Sequence, residues 1–362
     1  MKAQHLDIFA FRNIKNAEIS PVPGVNVICG ENGQGKTNLL EALWLFTGSR
    51  SFRGAKESEL VPIGGEFAKI SLSFYAFCRD MQCEIRYGRV RGASLNGVDE
   101  KSAAALSGNL FAVVFSPTHL SLVKGAPAER RQALDTMIEQ LKPRYKQVLG
   151  EYGRLLQQRN TLLRDAQLSP ALIDTLDVWD ASIAKIGALV TRTRKSYLER
   201  IAPIAGELYA GISGGREVLE LSYEASAEIG GNITEEEFLA LLRQNRNEDM
   251  RTGITSVGPQ RDDFSFFLDG VSAKAYASQG QQRSAVLALK LAECTLIEQV
   301  SGEAPLVLLD DVMSELDANR RDYLLHHLEN RQIFITCCDP HQIESAEAIW
   351  EVSNGNVRQV KQ

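Results

Sequence analysis

Residues 5–11 alternate loosely between apolar and polar, and a Pro21-Val22-Pro23-Gly24 turn leads into the largely apolar run 25–29. Alternation predicts a half-buried strand, and an apolar run predicts a strand buried on both faces. Residues 38–46 then take a helical pattern closed by Gly48. Strand patterning returns at 67–77, which 82–87 could pair with, and Leu95-Asn96-Gly97-Val98 carries the Asn-Gly signal of a tight hairpin. Residues 112–115 predict a short buried strand stopped by Ser116-Pro117. From Pro127 to about residue 210 the pattern is helical, punctuated by Pro143, Pro170 and Pro203. A strand is expected at 218–223, and a helix opens at Thr234-Glu235-Glu236-Glu237 with the spacing of a capping box. Strands are predicted at 253–256 and 264–268, the second followed by an Asp269-Gly270 turn. A helix over 279–299, a buried strand over 305–310, a helix over 318–328 and a strand over 332–336 complete the series. Strand and helix in alternation favour a parallel sheet. The expected organisation is an α/β domain in two pieces, 1–115 and 256–362, interrupted by a mainly helical insertion over 116–255.

Composition narrows the class. The 362 residues are 44% hydrophobic and 24% charged, as in a globular protein with a substantial core. The formal net charge of −6 gives no overall nucleic-acid signature, so any DNA-binding surface must be local. No apolar run approaches membrane-spanning length, and the start, with Asp7 and no long apolar core, does not resemble a secretory leader. The six cysteines lack C-x-x-C pairs and sit mostly in apolar patterns, which suggests reduced thiols in the cytoplasm.

The candidate chemistry centres on Gly30-Glu31-Asn32-Gly33-Gln34-Gly35-Lys36-Thr37, which reads G-x-x-x-x-G-K-T between a strand and a helix. In that context the glycines let backbone N–H groups wrap a phosphate at a helix N-terminus. Lys36 would reach the terminal phosphates and the Thr37 hydroxyl would ligate Mg²⁺. An ordinary Gly-rich turn is the competing explanation, and Lys-Thr with both flanks in place argues against it. A second element is the apolar run ending in Asp310-Asp311. A strand would deliver Asp310 to the Mg²⁺, and Asp311 would face the attacking water as general base or orienting group. A third is Ser278-Gln279-Gly280-Gln281-Gln282-Arg283, a Ser/Gly helix start that reads as a helix cap or as a second anion-binding end. Ser314-Glu315-Leu316-Asp317 follows the paired aspartates closely.

Together these pieces resemble the ATP-binding-cassette (ABC) class of ATPases and, within it, the RecF family of bacterial DNA replication and repair proteins, related to SMC and Rad50 heads. The resemblance runs along essentially the whole chain. Besides the phosphate loop it is carried by Phe11-Arg12-Asn13, Gly48-Ser49-Arg50-Ser51-Phe52-Arg53, Glu129-Arg130-Arg131, Gly258-Pro259-Gln260-Arg261-Asp262-Asp263 and the two motifs around Ser278 and Asp310. It implies the fold class α/β, an ABC-type P-loop ATPase head with a mainly helical inserted domain. It also implies that Ser278 and Gly280 cap an ATP held by a second subunit, with Asp317 across the same interface. ATP binding would then build a homodimer on DNA, and slow, DNA-stimulated hydrolysis would release it. The family's setting implies recombinational repair, replication restart and the SOS response to DNA damage. Gapped or junction DNA, bound without sequence preference, and RecO and RecR are the implied partners.

This chain departs from transporter-type cassettes in carrying Asp311 where they place glutamate. It has Thr336-Cys337-Cys338-Asp339 where they carry a histidine, and His341 nearby is assigned no role. Locally basic stretches would supply a DNA surface: thirteen Lys and Arg against nine Asp and Glu over 127–200, densest at Thr191-Arg192-Thr193-Arg194-Lys195, and a second cluster at Arg50, Arg53 and Lys56. Only 240 residues separate Thr37 from Ser278, without sustained heptads, so no long coiled-coil arm is expected. The competing functions are the ATPase subunit of a membrane transporter and a small-molecule P-loop kinase.

Overall fold

The structure is a computed structural model describing residues 1–226, 234–340, 343 and 345–361. By its internal contacts the chain divides into two units, Met1–His119 with Val286–Gln362, and Leu120–Ala285. This division falls elsewhere than residues 255/256, because the strand that follows is paired inside the second unit.

The first unit is built on one twelve-stranded sheet. Its N-terminal part is antiparallel: β1 (Lys2–Phe11) pairs with β2 (Ile14–Ile19) and β4 (Phe67–Ala76), and β4 continues to β5 (Arg79–Gly88), β6 (Gly92–Leu95) and β7 (Val98–Glu100). The β6–β7 turn holds Asn96 and Gly97 at φ 50° and 79°, the left-handed pair that the Asn-Gly signal calls for. The other part is parallel. β8 (Ala112–Phe115), β12 (Leu306–Leu309), β13 (Ile333–Cys337) and β3 (Val25–Cys29) run side by side, and β14 (Ala348–Ser353) joins the far edge of β3. β8, β12 and β13 are buried at every position, the pattern of strands covered on both faces. The hairpin β14–β15 (Asn356–Lys361) closes back against β2. Helices α1 (Lys36–Leu45) and α10 (Ala318–His327) follow β3 and β12. The core packs Leu39, Leu43 and Phe46 against Phe11, Ile28, Leu308 and Phe334. Each such side chain contributes about 1.5–3 kcal/mol on burial.

The second unit is mainly helical: α2 (Ser121–Lys124), α3 (Pro127–Leu141), α4 (Pro143–Ala166), the long α5 (Leu176–Ser213), α6 (Glu235–Gln244), α7 (Arg246–Thr252) and α8 (Ala273–Tyr276). A three-stranded sheet of β9 (Leu219–Glu224), β10 (Asp263–Leu268) and β11 (Val271–Ser272) completes it, and α9 (Gln279–Ser301) begins here. Thr234 and Glu237 form the expected capping box of α6. The strand predicted at 253–256 does not form. Gly253, at φ 69°, ends α7, and the buried Thr255 is instead tied by its N–H and hydroxyl to the Asn160 side chain and reached by Arg159 Nη1 at 2.9 Å.

Two of the arginines counted toward a basic surface are structural. Arg159 is fully buried, donating at 2.7 Å to both Asp180 and Asp249, themselves fully buried. Arg194 forks onto Asp135 at 2.8 Å and donates to Pro259 O at 2.6 Å. Burial alone would lower the Arg194 pKa, but the Asp135 carboxylate outweighs it and the net shift is upward. The run 191–195 therefore does not present a row of free cations: Thr191 and Arg194 face inward, and Arg192 is exposed. No helix among the described residues is long and apolar enough to cross a membrane.

Candidate nucleotide site

The loop after β3 turns at glycines because nothing else fits. Gly30 has φ 147°, and a Cβ there would lie 2.3 Å from the Val352 carbonyl oxygen. Gly35 has φ 118°, and its Cβ would meet Asn13 Oδ1 at 2.6 Å. Gly35 is the N-cap of α1, no side chain caps that end, and its first turn carries no acidic residue. A helix end of this kind offers N–H groups and a partial positive charge to an anion.

Lys36 is buried and bends back over its own loop, donating to Gly30 O at 2.6 Å and Glu31 O at 3.2 Å, with Asn32 Oδ1 at 3.4 Å and Cys338 Sγ at 3.5 Å. Thr37 donates its hydroxyl to Asp310 Oδ1 at 2.7 Å. Thr336, fully buried on β13, donates to the same oxygen at 3.1 Å and accepts from the Asp311 N–H at 2.8 Å. Parallel pairing of β3, β13 and β12 delivers all three groups to the same carboxyl end of the sheet. Burial raises the Asp310 pKa; the Thr37 and Thr336 hydroxyls oppose this and the neighbouring Asp311 charge adds to it. Asp311 sits at φ 52°, a left-handed conformation uncommon for a residue with a Cβ and frequent at functional sites.

A cavity of about 630 Å³ opens beside this cluster, lined by Lys36, Thr37, Asp311, Asn13, Arg12 and Arg53 among others, with Pro62 and Ile63 on an apolar flank. Small-molecule sites commonly span roughly 300–1,000 Å³. Behind the loop runs a polar network. Asn13 Nδ2 donates to Gln34 O at 2.9 Å and Gly33 O at 3.2 Å, and Asn38 donates to Asn13 Oδ1 at 2.7 Å. Arg53 donates to Asn38 at 2.8 Å. Arg12 forks onto the fully buried Glu41 at 2.7 and 2.8 Å, and Ser51 donates to the same carboxylate. Arg53 therefore lines the cavity while its side chain stays partly exposed.

The structure brings Gly30, Glu31, Asn32, Gly33, Gly35, Lys36, Thr37, Asp310 and Asp311 into one place. Gln34 belongs to the loop but turns its side chain to the Asn354 N–H at 2.7 Å. Ser278 and Gly280 belong to the second unit, where Ser278 caps α9: its Oγ accepts the Gln281 N–H at 3.2 Å and its own N–H goes to Gln281 Oε1 at 2.7 Å. Ser278 is exposed. Asp317 N-caps α10 by accepting the Arg320 N–H at 2.9 Å, which holds its pKa below the ordinary value, and it does not line the cavity. The roles of Arg12, Asn13, Thr336 and Cys338 were not read from residue pattern. His341 lies outside the described residues.

The family description RecF/RecN/SMC N terminal domain matches residues 2–360. The chain is 38% identical to the DNA replication and repair protein RecF of Acetivibrio thermocellus over 92% of both chains. It is 41% identical to that of Heliobacterium modesticaldum over 94% of this chain and 93% of the relative. The chain belongs to the RecF family. Among solved structures it is similar to one described as the recombination mediator protein RecF-ATPrS in the RecFOR pathway, with a TM-score of 0.93 at 34% identity over 99% of this chain and 98% of that one. A Smc head from Pyrococcus furiosus, at 17% identity and a TM-score of 0.56, shares the fold. The fold is thus the ABC-type head shared by RecF and SMC proteins.

Proposed function

We propose that this RecF-family chain is an ATP-gated DNA-binding protein of recombinational repair and replication restart, acting in the cytoplasm. The observation that carries the reading is the Thr37–Asp310 hydrogen bond of 2.7 Å beside the buried Lys36 ammonium. The RecF-family solved structure named with an ATP analogue supports it.

The residues present fit Mg²⁺-ATP. Among the described residues Lys36 is met by carbonyls, an amide oxygen and a thiol, weak substitutes for phosphate oxygens that it would exchange on binding. A divalent cation would remove the desolvation penalty on Asp310. Thr37 and Asp310 would hold Mg²⁺, which supplies charge neutralisation at the phosphates. Lys36 orients the terminal phosphates, and the loop N–H groups bind the rest. Asp311 orients the attacking water and takes its proton, with Thr336 fixing its backbone N–H. A carboxylate shorter than glutamate suits slow turnover, stimulated by DNA.

Ser278, Gly280 and Asp317 would complete a second subunit's site. The exposed Ser278 at a helix start supports this, since a γ-phosphate arriving from outside would meet it. ATP but not ADP then biases assembly, because only ATP carries that γ-phosphate. The dimer would close on gapped or junction DNA, with RecO and RecR as partners. Sedimentation with ATP, ADP and gapped duplex tests the reading. Dimers with ATP alone or with DNA, and monomers with ADP, are expected; monomers under every condition, or an ATPase rate indifferent to DNA, overturn it.

A further inference from the structure

On the outer face of the first unit's sheet, away from the nucleotide loop's polar network, β1 and β2 place two carboxylates opposite each other. Asp7 and Glu18 are direct cross-strand partners. Like charges in that relation repel and destabilise a sheet. His5, two residues before Asp7 and on the same face, lies between them. Its Nε2 is 3.1 Å from Asp7 Oδ1 and 3.5 Å from Glu18 Oε1. Its Nδ1 is 3.1 Å from Ser20 Oγ. One donor atom from each of the three residues lies within 4.8 Å of the others.

An imidazole nitrogen and two carboxylates within reach of one another are a donor set that suits a cation. With Ser20 accepting from Nδ1–H, the Nε2 lone pair faces two carboxylate oxygens. A proton on Nε2 could form one good hydrogen bond but could not serve both carboxylates equally. A metal ion could. Zn²⁺ binds nitrogen and carboxylate oxygen at about 2.0–2.2 Å, so ligand atoms of a tetrahedral site stand roughly 3.3 Å apart. The two Nε2–oxygen separations, 3.1 and 3.5 Å, bracket that edge. Ser20 plays the part of the outer partner that fixes a ligating imidazole's tautomer and ring orientation. All three donors are solvent-accessible, so an ion can enter, and a fourth position is left to water.

We infer that His5, Asp7 and Glu18, oriented by Ser20, form a surface site for a divalent transition ion of the Zn²⁺ class. The ion cross-links β1 and β2 and removes the Asp7–Glu18 repulsion. The Asn13 turn at the far end of this hairpin contacts the phosphate loop, so the clip braces an element on which that loop rests.

The test uses full-length, chelator-treated protein without nucleotide or Mg²⁺, titrated calorimetrically with ZnCl₂. Wild type is expected to bind one more Zn²⁺ than His5→Ala. Ser20→Ala is expected to bind at that site about 10–100-fold more weakly. Glu18→Gln, an exposed and nearly isosteric change, carries the comparison if His5→Ala fails to fold, and should lose the same site. Labelled-histidine NMR adds a direct readout: Zn²⁺ should move the His5 Nε2 resonance while Nδ1 keeps its proton. Equal stoichiometry and affinity in wild type and all variants overturns the inference. So does a His5 Nε2 that stays protonated when Zn²⁺ is added.

Discussion

Asp310→Asn separates what the nucleotide site costs the fold from what it gives to binding. Asp310 is 8% exposed, accepts two hydroxyl hydrogen bonds on one oxygen and lies beside Asp311. Burial and the Asp311 charge both disfavour its ionised form. Asparagine keeps the acceptor for Thr37 and Thr336 and removes the charge. The variant should therefore be more stable than wild type without nucleotide, by about 1 kcal/mol, the order of a typical stabilising substitution. The pH dependence has a definite sign. A carboxyl whose folded pKa is raised holds its proton more tightly when folded. The wild-type penalty is therefore absent below the ordinary value of 3.8, grows as pH rises past it, and is complete above the raised folded value. The stability difference should shrink as pH falls through that window. Saturating Mg²⁺-ATP should reverse the ranking: a ligand at 100 times its Kd stabilises wild type by about 2.7 kcal/mol, and the variant should gain little from adding Mg²⁺ to ATP. Urea midpoints with and without Mg²⁺-ATP, at several pH values, measure all three effects. A variant less stable than wild type in the absence of nucleotide, or equally stabilised by Mg²⁺-ATP, would refute the reasoning.

Lys36→Ala should abolish binding of a labelled ATP analogue, measured by filter retention or fluorescence; retained affinity contradicts the site. Asp311→Asn should bind ATP and dimerise but not turn over, and unaltered phosphate release would show that Asp311 is not the base. Ser278→Arg should bind ATP with wild-type affinity and remain monomeric on a sizing column, and ATP-dependent dimers would remove Ser278 from any intersubunit role. Arg159→Ala removes the cation of the buried Asp249 and one of the two paired with Asp180, which keeps Arg246 at 2.7 Å, and should cost about 3–5 kcal/mol. The fluorescence of Trp179, beside Asp180, follows the resulting drop in urea midpoint, and an unchanged midpoint would mean the pair is dispensable.

The parallel part of the sheet was legible because strands buried on both faces are written as apolar runs, as at 112–115 and 306–309. Hairpin chemistry was legible at Asn96-Gly97, where the turn demands left-handed residues. The hairpin β14–β15 carries the same Asn-Gly signal at Asn354-Gly355 with alternation through β14, and could have been read the same way. The false strand at 253–256 arose because local pattern cannot see that Thr255 is claimed by Arg159 and Asn160, about 95 residues away. The same blindness affects charge counts. Arg159 and Arg194 look like surface cations until Asp180, Asp249 and Asp135, distant in sequence, are seen to bury them.

At the site, the motif named the groups that would meet phosphate and metal but not the ones that hold them. Asn13 supports the loop through two carbonyls, and Thr336 stands between the two aspartates. Neither residue type advertises this by spacing. Where the chain lacks a histidine, the end of β13 supplies the Thr336 hydroxyl, which reaches both Asp310 and Asp311, and the next exposed side chain, Cys338, reaches Lys36 and Asn32. If Thr336 couples the metal ligand to the water-orienting aspartate, then Thr336→Val, which keeps volume but removes the hydroxyl, should lower turnover more than ATP affinity. Leaving the Asp311 N–H without its acceptor costs about 1–3 kcal/mol. That cost falls on the left-handed conformation that sets the direction of the Asp311 carboxylate. Single-turnover hydrolysis against equilibrium nucleotide binding separates the two quantities. A variant that loses affinity and rate in equal proportion would show Thr336 to be merely part of the binding wall.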